Sequence, residues 1–154
     1  METNEYVIEV KTGGRDSAGT DAGVFIQLTG DKDVSGEIEL DNSKDNFEKN
    51  MLDVFTIKTK DVGRLHKVKL FHDNKGKKAG WYVDYLTITD KNRNLTWKVN
   101  IYSWLEKGNL SVVKDIPLGQ FSTDLSESYE VIDRVYVKPF INESSSKIKI
   151  KDCF

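Results

Sequence analysis

Oxygen-bearing side chains are concentrated in two short segments of this 154-residue chain. The first runs from Ala18 to Ala22 and contains Thr20 and Asp21, and the second runs from Asp41 to Glu48. Calcium takes about six to eight oxygen ligands from carboxylates, carbonyls and side-chain amides, so both segments have suitable chemistry. The alternative is that these Asp and Asn residues only serve turns, because their side chains bond to nearby backbone. Composition alone favours that alternative.

The chain has few residues arranged for catalysis. His66 and His72 lie six residues apart around a predicted strand, so we expect both on one side and partly exposed. Zinc needs more nitrogen or sulfur ligands than these. Cys153 is the one cysteine and has no evident activating neighbours. No nucleophile elbow or phosphate-binding glycine loop is present. We therefore predict that the chain is not an enzyme.

Charge and hydropathy argue against a nucleic-acid-binding protein and against a membrane-spanning helix. Lys and Arg number 23 against 25 Asp and Glu, a net charge of −2, which argues against binding nucleic acid through bulk charge. Hydrophobic residues make up 38% of the chain, which is enough for one domain with a core. No run of about 18 apolar residues occurs, so we expect no membrane-spanning helix.

Alternation of apolar and polar residues dominates the chain from residue 6 to about residue 101. The run from Leu95 to Ile101 alternates throughout, and Trp81 and Trp97 stand inside such runs, where we expect them in the core. This period of two predicts half-buried strands, and turn residues separate the runs. Because helix signals are nearly absent, the sequence predicts an all-β fold, an antiparallel β-sandwich.

The last third of the chain has a different pattern. The segment from Val131 to Phe140 predicts a strand pair, and the one from Lys147 to Lys151 predicts a charged edge strand or a linker.

Several sequence elements occur in the order found in PLAT domains, the β-sandwiches of polycystins, lipoxygenases and clostridial alpha-toxin. These elements are Tyr6 to Gly13, Ala18 to Ala22, Leu40-Asp41, Phe47-Glu48, Leu52 to Ile57, His72 to Gly76, Trp81 to Val83 and Trp104-Leu105. The chain therefore resembles a PLAT domain over residues 5–107, with His72 to Gly76 most like the polycystin branch. Residues 108–154 would form an extension, either extra strands or a connector.

The resemblance implies two four-stranded sheets, no catalysis, and targeting of an attached protein to membranes or partners, often with calcium. The residues that it implies as calcium ligands are Gly19, Thr20, Asp21, Asp41, Asp45, Asn46 and Glu48. A second family site needs a carboxylate before Trp81, where this chain has Ala79 and Gly80, and Ser17 stands where the toxin branch has an acid. We therefore expect one calcium ion.

Lipoxygenase-type members also carry tryptophans at loop tips, and here only Trp104 remains a candidate, with burial in the core as its alternative. The other residues expected to contact a membrane or partner are cationic: Arg15, Lys75, Lys77 and Lys78. A solvated turn is the alternative for the three lysines. The resemblance thus implies a calcium-binding module that docks peripherally on anionic phospholipid, on the cytoplasmic side of a membrane. The alternative is a protein–protein interaction module without lipid affinity, which would bind another protein or a neighbouring domain.

Overall fold

The computed structural model describes residues 2–116 and, beyond them, the backbone of two short strands. Within those residues the strands are β1 (Thr3–Thr12), β2 (Val24–Gly30), β3 (Ile38–Glu39), β4 (Leu52–Lys60), β5 (Leu65–His72), β6 (Trp81–Asp90), β7 (Leu95–Leu105), β8 (Ser111–Asp115), β9 (Glu130–Ile132) and β10 (Val135–Val137). No helix that could cross a membrane occurs in these described parts of the chain.

Strands β1 to β8 form two four-stranded sheets. The first sheet has the order β4-β1-β6-β7 and the second has the order β3-β2-β5-β8. Every neighbouring pair is antiparallel. The predicted fold class, an antiparallel β-sandwich of two four-stranded sheets, is confirmed.

The core lies between the sheets and consists of the inward-facing residues of the alternating strands. Tyr6, Ile8 and Val10 of β1 are fully buried, as the alternation predicts. Trp81 is 0% exposed and Trp97 is buried, so their predicted core positions are confirmed. The Trp81 indole donates a hydrogen bond to the Thr12 hydroxyl at 2.9 Å, which satisfies its one polar atom.

The eighth strand of the sandwich lies beyond residue 107. Strand β8 pairs with β5 along Lys67 to Phe71 and completes the second sheet. Strands β9 and β10 pair with each other, and apart from Glu130 they lie within the segment where the sequence predicts a strand pair. The predicted edge strand or linker at residues 147–151 lies outside the described residues.

The expectation that both histidines lie partly exposed on one side of a strand is wrong. His72 is 1% exposed, whereas His66 is exposed. The reason is a β-bulge: Gly30 pairs with Leu65 while Thr29 pairs with Lys67, so one extra residue shifts the alternation. The His72 Nε2 donates to the Leu105 carbonyl at 2.7 Å. This buried hydrogen bond therefore links the end of β5 to the end of β7.

A partly buried ionic cluster, in which the Arg93 side chain is 29% exposed, lies where β1 begins and where β4 and β6 end. The Arg93 guanidinium donates to both carboxylate oxygens of Asp61, at 2.7 and 3.0 Å, and to Asp90 at 3.1 Å. The side chains of Asp61 and Asp90 are 4% and 0% exposed. The hydrogen bonds from Arg93 lower the pKa of Asp61 below its ordinary value. This cluster joins three strands at the end opposite the candidate site.

Candidate metal centre

Three connecting segments meet at the other end of the sandwich. Residues 18–22 lead into β2, residues 40–51 follow β3, and residues 73–80 follow β5. Because β2 is antiparallel to both β3 and β5, its first residues lie beside the last residues of those strands. The strand pairing therefore brings together segments that are far apart in the sequence.

The two oxygen-rich segments of the sequence are in direct contact. The backbone N–H of Thr20 donates to the Phe47 carbonyl at 3.0 Å. A Cβ added at Gly19 would lie 2.9 Å from that carbonyl and 3.1 Å from the Lys49 nitrogen, so the backbones approach as only glycine allows. The segment containing Asp21 is thereby held against the one containing Glu48.

The core fixes the position of the Phe47-Glu48 turn. The Phe47 ring packs edge-on against Trp81, with 5.2 Å between centroids. Phe47 has a φ of 62°, and its backbone N–H donates to the buried Asp53 carboxylate at 2.8 Å. Packing of this ring and one charge-assisted hydrogen bond thus hold a residue in the left-handed region.

The lysine-bearing loop is attached to the same structure. The Thr20 hydroxyl donates to the Ala79 carbonyl at 2.6 Å, and the Asp21 N–H donates to the Lys78 carbonyl at 3.1 Å. The end of the lysine-bearing loop, at Lys78 and Ala79, is therefore attached to the Thr20-Asp21 turn.

These loops surround a cavity of about 450 Å³ that is rich in oxygen donors. The predicted ligands that line it are Thr20, Asp21, Asp41, Asp45 and Asn46. The other two, Gly19 and Glu48, belong to the contact between the loops. The structure thus brings the predicted segments together at one place.

Negative charge accumulates around this cavity. Burial, followed by the like charges of Asp45 and Asp21, raises the pKa of Glu48 above its ordinary value. The Oδ1 atom of Asn46 is buried and has no hydrogen-bond partner. A buried amide oxygen without a donor is costly, and a cation would satisfy it while relieving the carboxylate repulsion.

The donor chemistry fits calcium, although the carboxylates are spread around the rim. Among the described residues, no three His, Cys, Asp or Glu side chains lie close enough together to hold a metal ion. Bound calcium would therefore need the Asn46 amide oxygen and backbone carbonyls, such as that of Thr20, beside the carboxylates. Oxygen donors of these kinds suit a hard cation and not zinc.

Two carboxylates on the cavity were missed by sequence reasoning. Glu39 and Asp73 both line it, and Asp73 accepts a hydrogen bond from the Gly23 N–H at 2.9 Å. A Cβ at Gly23 would lie 2.8 Å from the other oxygen of Asp73. Asp73 belongs to the His72 to Gly76 element, so the sequence signal existed, but that element served only to indicate the polycystin branch and not to predict metal ligands.

The predicted contact residues fall into two groups. One group is the exposed lysines of the loop after β5, namely Lys75, Lys77 and Lys78. The other group surrounds Tyr82: the Arg15 guanidinium lies 4.3 Å from the centre of its ring, and Trp104 packs edge-on at 5.4 Å. Trp104 is half-buried outside the core, so the alternative of core burial is wrong for this residue.

Comparison with known proteins places this chain in a family. The PLAT/LH2 domain family matches residues 6–115. Lipoxygenase homology domain-containing protein 1 of Homo sapiens is 42% identical over 104 residues, which is 66% of this chain and 5% of that protein. Polycystin-1-like protein 3 of Mus musculus is 38% identical over 104 residues, again 66% of this chain and 5% of that protein. The chain thus spans about a twentieth of the length of these relatives.

A solved structure shows the same architecture. Coral 8R-lipoxygenase, which is described as activated by calcium via a C2-like domain, superimposes with a TM-score of 0.66 at 28% identity. The match covers 71% of this chain and 16% of the lipoxygenase. Because the family match spans most of the described sandwich, we conclude that this chain belongs to the PLAT/LH2 domain family.

Proposed function

We propose that this domain binds one calcium ion at the loop cavity and thereby docks an attached protein onto anionic phospholipid. The observation that carries the proposal is the meeting of the Thr20-Asp21 and Asp41 to Glu48 segments around the unpartnered Asn46 oxygen. The calcium activation described for the coral lipoxygenase, a similar structure, supports it. The domain itself would be non-catalytic.

Calcium would act in this proposal by joining loops and by neutralising charge. The cavity walls come from segments that are far apart in the sequence and are joined by hydrogen bonds, and a shared ion would add a further link between them. Bound calcium would lower the negative charge of the lining, so that fewer carboxylates oppose the attraction of the three lysines to an anionic surface. Each Lys near an anionic membrane contributes about 1 kcal/mol of attraction.

The proposed contact with the membrane is peripheral. The loop from Asn74 to Gly80 has no aromatic residue that would insert into the bilayer. Arg15 and the half-buried Trp104 flank Tyr82 and would contact headgroups at the interface. Anionic lipid is enriched in the cytoplasmic leaflet, so we place the domain on that side of a membrane.

Vesicle cosedimentation tests the proposal. The domain should pellet with phosphatidylserine vesicles in calcium and remain in solution in EGTA. Binding should weaken as salt rises, because headgroup attraction is screened over about 8–10 Å at physiological ionic strength. Replacing Lys75, Lys77 and Lys78 by glutamate should abolish sedimentation without unfolding the sandwich. Undiminished binding of this variant would contradict the proposal.

A matched control has the same change in net charge at another place. Exposed lysines away from the loop cavity are Lys58, Lys67 and Lys91. Their triple replacement by glutamate should leave vesicle binding close to that of the parent. An equal loss in both triple variants would mean that net charge, and not the loop, controls binding.

The second candidate function is protein binding without lipid affinity. It is favoured by apolar side chains exposed on the first sheet: Tyr102 is 57% exposed, Leu52 46% and Val54 47%. Such side chains would suit a partner or a neighbouring domain of the parent protein. Failure to bind anionic vesicles at low salt with calcium would favour this function.

A further inference from the structure

Two lysines line the cavity together with its carboxylates. The acidic lining residues are Asp21, Glu39, Asp41, Asp45 and Asp73, and the basic ones are Lys44 and Lys75. These side chains give the lining a formal charge of −3. The lysines therefore offset part of the repulsion that a calcium ion would otherwise relieve.

Lys75 is placed there by its backbone. Its N–H donates to the Asp73 carboxylate at 3.1 Å, directly after β5. Gly76 then turns the chain with a φ of +90°, and a Cβ there would lie 3.2 Å from the Asp21 Cβ. The backbone of Lys75 is thus held beside Asp73, and the backbone of the next residue lies beside Asp21.

The ammonium groups of these lysines are not held by any one partner. Among the ion pairs of residues 2–116, none involves Lys44 or Lys75, whereas Lys49 pairs with Asp16 at 3.3 Å. Both cavity lysines are exposed. They can therefore leave the cavity without breaking a defined salt bridge.

We propose that Lys75, assisted by Lys44, is an internal counter-ion that calcium displaces and that then binds an anionic lipid headgroup. This inference rests on the proposed function and adds the regulation of its site. The lysine weakens calcium binding in solution because both cations favour the same carboxylates. At an anionic surface the displaced ammonium gains a new partner, so lipid and calcium strengthen each other's binding.

The test compares Lys75→Met with Lys77→Met. Both lysines are exposed on the same loop, but Lys77 does not line the cavity. Calorimetric titration with calcium alone should show Lys75→Met binding roughly threefold to tenfold more tightly than the parent, as expected for removing a nearby like charge. Lys77→Met should stay within about twofold of the parent, because the charge of Lys77 does not line the cavity and acts on calcium mainly through screened solvent. Lys44→Met should resemble Lys75→Met, because Lys44 does line the cavity.

The second measurement uses phosphatidylserine vesicles with saturating calcium. Lys75→Met should lower vesicle affinity although it raises calcium affinity, and these opposite effects distinguish a displaced counter-ion from a structural residue. Equal calcium affinity of Lys75→Met and Lys77→Met would overturn the inference while leaving the proposed function intact. A parent domain that binds no calcium at millimolar concentration would refute the proposed function, and this inference with it.

Discussion

Replacing Arg93 by methionine should destabilise the domain by about 3–5 kcal/mol, because it leaves two buried carboxylates, Asp61 and Asp90, without their partly exposed counter-ion. Arg93 makes three short hydrogen bonds to Asp61 and Asp90, whose side chains are almost entirely inaccessible to solvent. Methionine retains most of the apolar part of the arginine side chain, so the loss of stability is due mainly to removal of the guanidinium.

The expected shift in melting temperature follows from the size of the sandwich. About 115 residues, at roughly 2.1 cal/mol/K each, give an unfolding entropy of roughly 0.24 kcal/mol/K. A loss of about 3–5 kcal/mol then corresponds to a decrease in Tm of roughly 12–20 °C. Differential scanning calorimetry and urea denaturation at pH 7 would measure it.

The pH dependence has a definite sign. Arg93 holds the pKa of Asp61 below its ordinary value of 3.8. The stability that this pair contributes is therefore present above about pH 4 and is lost as the pH falls through the lower folded pKa. The difference in stability between the parent and Arg93→Met should narrow on acidification from pH 7 to pH 3.

Two results would refute this reasoning about Arg93. One is a loss below about 1 kcal/mol at pH 7, which is the range of an exposed pair. The other is a difference in stability that does not change with pH. Adding Asp61→Asn to Arg93→Met should recover part of the loss, because it removes one unpaired charge. The calcium response should persist in Arg93→Met, since the cluster lies at the end opposite the cavity.

Three further predictions concern the site and the packing beneath it. Trp81→Ala should cost about 3–5 kcal/mol in urea denaturation, as for a fully buried large aromatic, and a loss below about 1 kcal/mol would contradict its core position. Glu48→Gln should raise Tm in EDTA, because burial and like charges, which raise the pKa of Glu48, disfavour its carboxylate. The same variant should show a smaller calcium-induced increase in Tm, and a fall in both the Tm in EDTA and the calcium-induced increase would contradict the electrostatic explanation. Gly19→Ala should lower both stability and calcium affinity, because the added Cβ would clash with the backbone of the neighbouring loop. Gly14→Ala should be tolerated, because the nearest atom to its added Cβ is 3.5 Å away. Equal effects of the two variants would contradict the close contact at Gly19.

The sequence predicts the sandwich well because its long strands alternate. The run from Leu95 to Ile101, for example, lies within β7 and buries alternate residues. The sequence left open whether residues 108–154 form extra strands or a connector, because β8 is a short edge strand whose residues are all at least partly exposed. The bulge at His66 was also missed, although the three-residue spacing of Leu65 and Val68 interrupts the alternation of β5, because this break alone does not show how the partner strand pairs there.

In the candidate site too, residues within one segment could be predicted from the sequence, whereas a residue brought in by strand pairing could not. Thr20, Asp21, Asp45 and Asn46 could be proposed from two local segments, and the structure places all of them on the cavity. Asp73 reaches the cavity from the end of β5, through pairing of that strand with β2. Composition within a segment cannot predict such a neighbour, because the pairing register decides which carboxylates meet.

Calcium-dependent thermal stability tests the central claim most directly. A ligand that binds only the folded state at about 100 times its Kd stabilises by about 2.7 kcal/mol, which raises Tm by roughly 11 °C for a domain of this size. Magnesium at the same concentration should produce a much smaller increase, because it demands a tighter octahedral geometry. Asp21→Asn should reduce the calcium-induced increase, since it removes a carboxylate from the cavity. If millimolar calcium leaves the Tm of both proteins unchanged, the assignment of a calcium site to this cavity is wrong.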